Sequence, residues 1–137
     1  MKHIHPIQLR FADTDALGHI NNAAYSLYIE SARVGFLVAT GLPVSSLVLA
    51  RIEIDYKMQV KFDAHASFTD PARGMVVESQ VERIGKTSIT LRQQVKWRGQ
   101  LAADVRTVVV NFDYETGAPS PVSEEVRSLL DRYTWSE

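Results

Sequence analysis

The chain contains no cysteine, which removes disulfide scaffolds, thiolate metal sites and cysteine nucleophiles together. It has no surplus of positive charge: 15 Lys and Arg stand against 16 Asp and Glu, for a net charge of -1. The bases are scattered rather than clustered, so a nucleic-acid partner gets no electrostatic support. No apolar run approaches the roughly 18 residues of a membrane span, and the opening Met1-Lys2-His3-Ile4-His5-Pro6 has no hydrophobic signal segment. A cytoplasmic address without a membrane partner is expected. Glycine and proline number only 7 and 5 and form no low-complexity linker. What is present, 137 residues of which 45% are hydrophobic and 23% charged, is the composition of a globular protein. The length suits one domain, 1–137, with a single sizeable core.

Periodicity supplies the elements. Between Tyr25 and Thr40, apolar side chains at Tyr25, Tyr28, Ile29, Ala32 and Phe36 follow helical spacing, with Asn21 and Asn22 available as caps. Leu27, Val34, Leu37 and Val38 fill the other faces, and a helix apolar nearly all round is normally buried. Glu30 and Arg33 are its only charges, spaced for an i, i+3 ion pair. From Arg51 to Phe62 polar and apolar residues alternate without a break, which predicts a half-buried strand of roughly 40 Å. Strands are further predicted at Ile7 to Phe11, Met75 to Ile84, Thr87 to Trp97 and Leu101 to Phe112. Turn signals at Gly85-Lys86 and Arg98-Gly99 make the last three an antiparallel meander. Asp63 to Gly74 reads as an extended loop, and Pro121 opens a final helix. The order β-α-β-β-β-β-α implies an α+β protein whose curved antiparallel sheet wraps a central helix.

Chemistry-bearing residues concentrate in Asp13-Thr14-Asp15-Ala16-Leu17-Gly18-His19-Ile20-Asn21-Asn22, between the first strand and the helix. Backbone N–H groups unpaired at a helix start can hold an oxyanion, and an adjacent carboxylate can act as base or nucleophile. Asp, Gly and Asn are equally favoured as turn formers and caps, so spacing alone leaves both readings open.

This run, continued by Ala23-Ala24-Tyr25 and Tyr28-Ile29-Glu30-Ser31-Ala32-Arg33, closely resembles the signature of hotdog-fold acyl-CoA thioesterases of the 4-hydroxybenzoyl-CoA thioesterase type. The likeness extends to Val81-Glu82-Arg83-Ile84-Gly85, Val108-Val109-Val110 and Pro121-Val122-Ser123-Glu124-Glu125-Val126-Arg127. The resemblance implies a hydrolase acting on acyl-CoA, with the catalytic carboxylate at Asp15 as nucleophile or general base. It also implies an oxyanion donor at about the Asn22 N–H, and neither metal nor other cofactor. Asp13 is then expected to position the loop, Gly18 to belong with Asp15 and Asn22 to the catalytic group, and His19 to orient water or Asp15, or simply to pack. Tyr25 is expected to wall the acyl pocket, and the Gly85, Lys86, Thr87 turn to lie near the acyl-CoA. A homodimer or homotetramer is expected, with composite sites. The chain departs from that family after the long strand, where Met58 to Ala66 replaces a Pro and a Gly-Asp pair.

Cations able to meet coenzyme A phosphates are Arg51, Lys57, Arg83, Lys86 and Arg92. Gly85-Lys86-Thr87 imitates the end of a P-loop, but Gln80 stands where its first Gly belongs and a strand follows. His3 and His5 share a strand face without a third metal ligand nearby. Two other readings remain: a non-catalytic acyl-CoA or acyl-carrier binding module, and a hotdog dehydratase or hydratase, whose motif is not matched.

Overall fold

The computed structural model describes residues 1–136. Its elements are β1 (His3–Ile7), α1 (Asn22–Ala39), β2 (Leu47–Tyr56), β3 (Met75–Ile84), β4 (Ser88–Trp97), β5 (Gln100–Asp113), β6 (Ala118–Pro119) and α2 (Glu124–Leu130). The five main strands form one antiparallel sheet in the order β1-β3-β4-β5-β2, and β6 pairs with the end of β5. The expected meander is β3-β4-β5, closed by three residues after Ile84 and by the two-residue turn Arg98-Gly99.

Alternation along β4 and β5 sends Ile89, Leu91, Val95, Val105 and Val109 to the inner face, where all are buried. Against them α1 lays Ala24, Tyr25, Ile29, Ala32, Phe36 and Leu37. Asn21 starts this helix by accepting the Ala24 N–H on its side chain at 2.8 Å. On the β1 side, His5 Nε2 lies 3.1 Å from Ser31 Oγ. A Cβ on Gly35 would stand 2.6 Å from His5 Nδ1, so the close approach of helix and strand depends on that glycine.

Four expectations are corrected. The first strand is His3–Ile7, not Ile7 to Phe11, because His3, His5 and Ile7 pair across from Ser79, Val77 and Met75, whereas Phe11–Asp13 turns as a 3-10 helix. The long strand is Leu47–Tyr56 and leaves the sheet at Lys57, where the N–H groups of Lys57 and Met58 both donate to the Ala102 carbonyl. The helix is not buried all round: Leu27, Val34 and Val38 stay exposed. Glu30 and Arg33 form no ion pair; Arg33 is buried to 9% exposure without a hydrogen-bond partner among the described residues, and burial lowers its pKa.

Candidate active site

The segment between β1 and α1 folds back on itself around Asp15. Asp15 Oδ1 accepts the N–H groups of Leu17 at 2.8 Å and His19 at 3.1 Å, and the Asp15 N–H donates to the His19 carbonyl at 2.8 Å. Gly18 closes the loop with a φ of 80°, a left-handed conformation that costs a side-chain-bearing residue. The stretch that leaves β2 straps the loop in place: the Ile20 N–H donates to the Val60 carbonyl at 2.7 Å and the Phe62 N–H to the Gly18 carbonyl at 3.1 Å. Val60 is fully buried. The result is an exposed Asp15 whose Oδ1 is committed to the loop and whose Oδ2 has no described protein donor.

A cavity of about 380 Å³ opens beside it, lined by Asp15, His19, Asn22 and Tyr25 from the loop and helix, and by Tyr56, Lys57, Met58 and Gln59 from the end of β2. Asn22 is the first residue of α1. Its N–H and that of Ala23 meet no described protein acceptor, as expected of the first helical turn. The helix therefore presents free donors and its positive end to the cavity that holds Asp15. Tyr56 donates its hydroxyl to the Asn22 carbonyl at 3.2 Å and stands edge-on to Tyr25, with ring centroids 5.3 Å apart. Burial, and then the neighbouring Tyr56, pushes the Tyr25 hydroxyl pKa up. His19 is half-buried, and its Nδ1 is sealed from solvent with no partner among the described residues. Among those residues no three His, Cys, Asp or Glu side chains gather as a metal ion requires.

Asp15, Gly18, His19, Asn22 and Tyr25 thus come together. Gly85, Lys86 and Thr87 do not join them within one chain. Their turn follows Ile84, at the end of the sheet where Ile84 faces Ile89 and Val109 faces Leu49, whereas Tyr56 pairs with Ala103 at the other end. There the Lys86 carbonyl accepts the Val122 N–H, and the Gly85 carbonyl accepts from Arg127. Of the candidate cations, Arg51 pairs with Glu53 and Arg92 with Asp104, while Lys57 lines the cavity. Tyr56, Met58 and Gln59 were not expected at the site. A change of residue type at Lys57 would have marked the break, but Lys57-Met58-Gln59 carries neither Gly nor Pro.

A model of the thioesterase-like superfamily matches residues 9–130, and the chain belongs to that superfamily. Among solved structures it is similar to a predicted thioesterase from Bacillus stearothermophilus, 29% identical with a TM-score of 0.83, covering 100% of this chain and 99% of that one. It is also similar to a thioesterase from Thermus thermophilus complexed with coenzyme A and Zn, 27% identical with a TM-score of 0.77, over 93% and 96% of the two chains. A 1,4-dihydroxy-2-naphthoyl-CoA thioesterase from Synechocystis, 14% identical with a TM-score of 0.77 over 95% and 96%, shares the fold. No curated protein matches the chain. The fold is the hotdog read from the motif, and the enzyme class is thioesterase. No helix among the described residues is long and apolar enough to cross a membrane.

Proposed function

We propose that the protein hydrolyses acyl-CoA thioesters to a carboxylic acid and free coenzyme A, with Asp15 as the reacting carboxylate. The observation that carries this reading is the shared cavity of Asp15 and the free N–H groups that open α1. A thioester carbonyl seated there has its oxygen toward the Asn22 N–H, where developing negative charge is stabilised by the helix start. Asp15 either removes a proton from the attacking water or attacks the carbonyl carbon itself. In the first route water's oxygen bonds to the acyl carbon, the C–S bond breaks, and the thiolate leaves to become the thiol. In the second a mixed anhydride forms as the thiolate departs, and water then hydrolyses it. Tyr25 and Tyr56 supply aromatic wall for the acyl group, and His19 lines the same cavity beside Asp15. Lys57 supplies positive charge at the cavity for coenzyme A phosphates. The coenzyme A held by the Thermus neighbour supports that carrier.

We infer that two chains pair through their β2 edges, and such a homodimer would give Gly85, Lys86 and Thr87 their expected role. Antiparallel pairing sets the Leu47 end of the partner, with its own Gly85 turn, beside the Tyr56 end of this chain.

The test is thiol release from short, medium, long and aromatic acyl-CoAs by wild type and Asp15→Asn. The variant is expected to lose about 10²- to 10⁴-fold in kcat while still binding acyl-CoA. Binding without turnover by wild type would favour a non-catalytic module, and equal turnover by both proteins would exclude the Asp15 mechanism.

A further inference from the structure

Asp13 is the one carboxylate among the described residues that is buried, at 3% exposure. A buried carboxylate is costly unless its oxygens are paired, and these are. Asp13 Oδ2 accepts the Tyr28 hydroxyl at 2.6 Å, and Oδ1 accepts Arg10 Nη2 at 2.8 Å. Burial alone would push the Asp13 pKa up; the bonds from Arg10 and Tyr28 outweigh it and hold the carboxyl below its ordinary value. Tyr28, 6% exposed, carries a hydroxyl pKa raised by burial and by that same bond. Asp13 does not line the cavity, so it touches no substrate.

Its backbone matters as much. The Asp13 carbonyl accepts the Asn21 N–H at 2.8 Å. Asn21 is the cap of α1 and immediately precedes Asn22. One residue therefore bonds to the helix at its cap through its carbonyl and further along through its carboxylate, and it lies two positions before Asp15. We propose that Asp13, gripped by Tyr28 and Arg10, is a positioning residue that fixes Asp15 relative to the helix N–H groups facing it.

The kinetic half of this proposal rests on the thioesterase reading; the structural half does not. Misplacement of a reacting group by about 1 Å can cost 10²-fold in rate. Tyr28→Phe deletes only the hydroxyl, and Asp13→Asn keeps an acceptor for it while weakening the Arg10 contact. In Tyr28→Phe, hydrogen exchange at the Leu17, His19 and Asn21 amides is expected to quicken about tenfold while β4 amides stay protected. The kcat for acyl-CoA is expected to fall roughly 10- to 100-fold with KM held within about twofold. Asp13→Asn should retain more activity than Asp13→Ala. The Tyr28→Phe, Asp13→Ala double variant should be no worse than Asp13→Ala alone, because Asp13→Ala has already removed the acceptor of the Tyr28 hydroxyl.

Unchanged exchange at those three amides in a folded Tyr28→Phe protein would overturn the proposal. So would an undiminished kcat when wild type is active. Absence of turnover by wild type would count against the thioesterase reading, and amide exchange in Tyr28→Phe would still decide the clamp. Should the Asp13 variants fail to fold, Tyr28→Phe carries both measurements.

Discussion

Gln93, on the inner face of β4, is fully buried beneath α1, yet both ends of its amide are used. Its Oε1 accepts the Thr107 hydroxyl at 3.0 Å, and its Nε2 donates to Ser79 Oγ at 3.1 Å and to the Ile29 carbonyl at 3.4 Å. Three strands and the helix thus meet at one side chain. Thr107→Val keeps the shape but strands the Gln93 oxygen in the core, and leaving a buried acceptor unmade costs about 1 to 3 kcal/mol. Chemical unfolding should show that loss as a lower midpoint at unchanged slope. Ser79→Ala should cost less, because Gln93 Nε2 keeps the Ile29 carbonyl. Alternation puts Gln93 and Thr107 inward, but nothing in their spacing says that they satisfy each other; that depends on strand register. The Asp15 loop is the opposite case. The bonds that close it around Asp15, to Leu17, Gly18 and His19, join residues within four positions, so its motif is readable from a short stretch. The approach of Tyr56 and Lys57 to the same cavity spans more than thirty positions and leaves no local trace.

At the scale of elements, the alternation from Arg51 to Phe62 outlasts the strand that it predicts. Val60 is fully buried, but the site loop covers it through the Ile20 N–H bond rather than continued pairing with β5. A period of two reports burial on one side of an extended chain, not the identity of the neighbour that buries it. β1 shows the same limit, since the sequence puts His3 and His5 on one strand face without saying what that face meets, and in the structure it meets α1. His5 meets Ser31, and His3 lies edge-on to Phe36 with ring centroids 5.7 Å apart. Burial lowers the pKa of both from the ordinary 6.5, and for His3 the neighbouring His5 adds to it. The folded state therefore favours the neutral rings. Above pH 6.5 neither state binds the protons and this contribution to stability is complete. As pH falls below 6.5 the unfolded chain takes them up first, and stability is lost until the lowered folded pKa values are passed. Thermal melts should show a fall in Tm below about pH 6.5 that is shallower in a His3→Phe, His5→Gln variant.

For the whole molecule, the unpaired groups lie together on one side. β2 is an open edge of ten residues, and Leu49 and Tyr56 on its inner face are 44% and 45% exposed. An edge of that length invites another strand. Leu27, Val34 and Val38 stay exposed on α1, so the apolar excess of that helix, legible in the sequence, has no cover within one chain. Asn22 meets Tyr56 on one flank of α1 while Ser31 meets His5 on the other. Helical geometry puts Arg33 on the Asn22 flank, toward β2, with Glu30 beside it. α1 and β2 run between the same two ends of the sheet, so if two copies joined through β2 about a two-fold axis near Arg51 and Ile52, that axis would also pass level with the middle of α1, near Glu30 and Ser31. A dimer built on that axis would set Arg33 against Glu30 of the second copy, and Glu30 against its Arg33. Such a contact would add a second carboxylate near Arg33, which within one chain feels the charge of Glu30 but forms no ion pair with it. Arg33→Glu alone, or Glu30→Arg alone, then sets like charges together and should weaken the dimer roughly tenfold or more. The combined Glu30→Arg, Arg33→Glu protein, with both charges exchanged, should recover it. Sedimentation across a concentration series measures each state. If all four proteins share one dissociation constant, Arg33 and Glu30 lie outside the contact; if thiol release falls in the single variants and returns in the exchange, the partner completes the site.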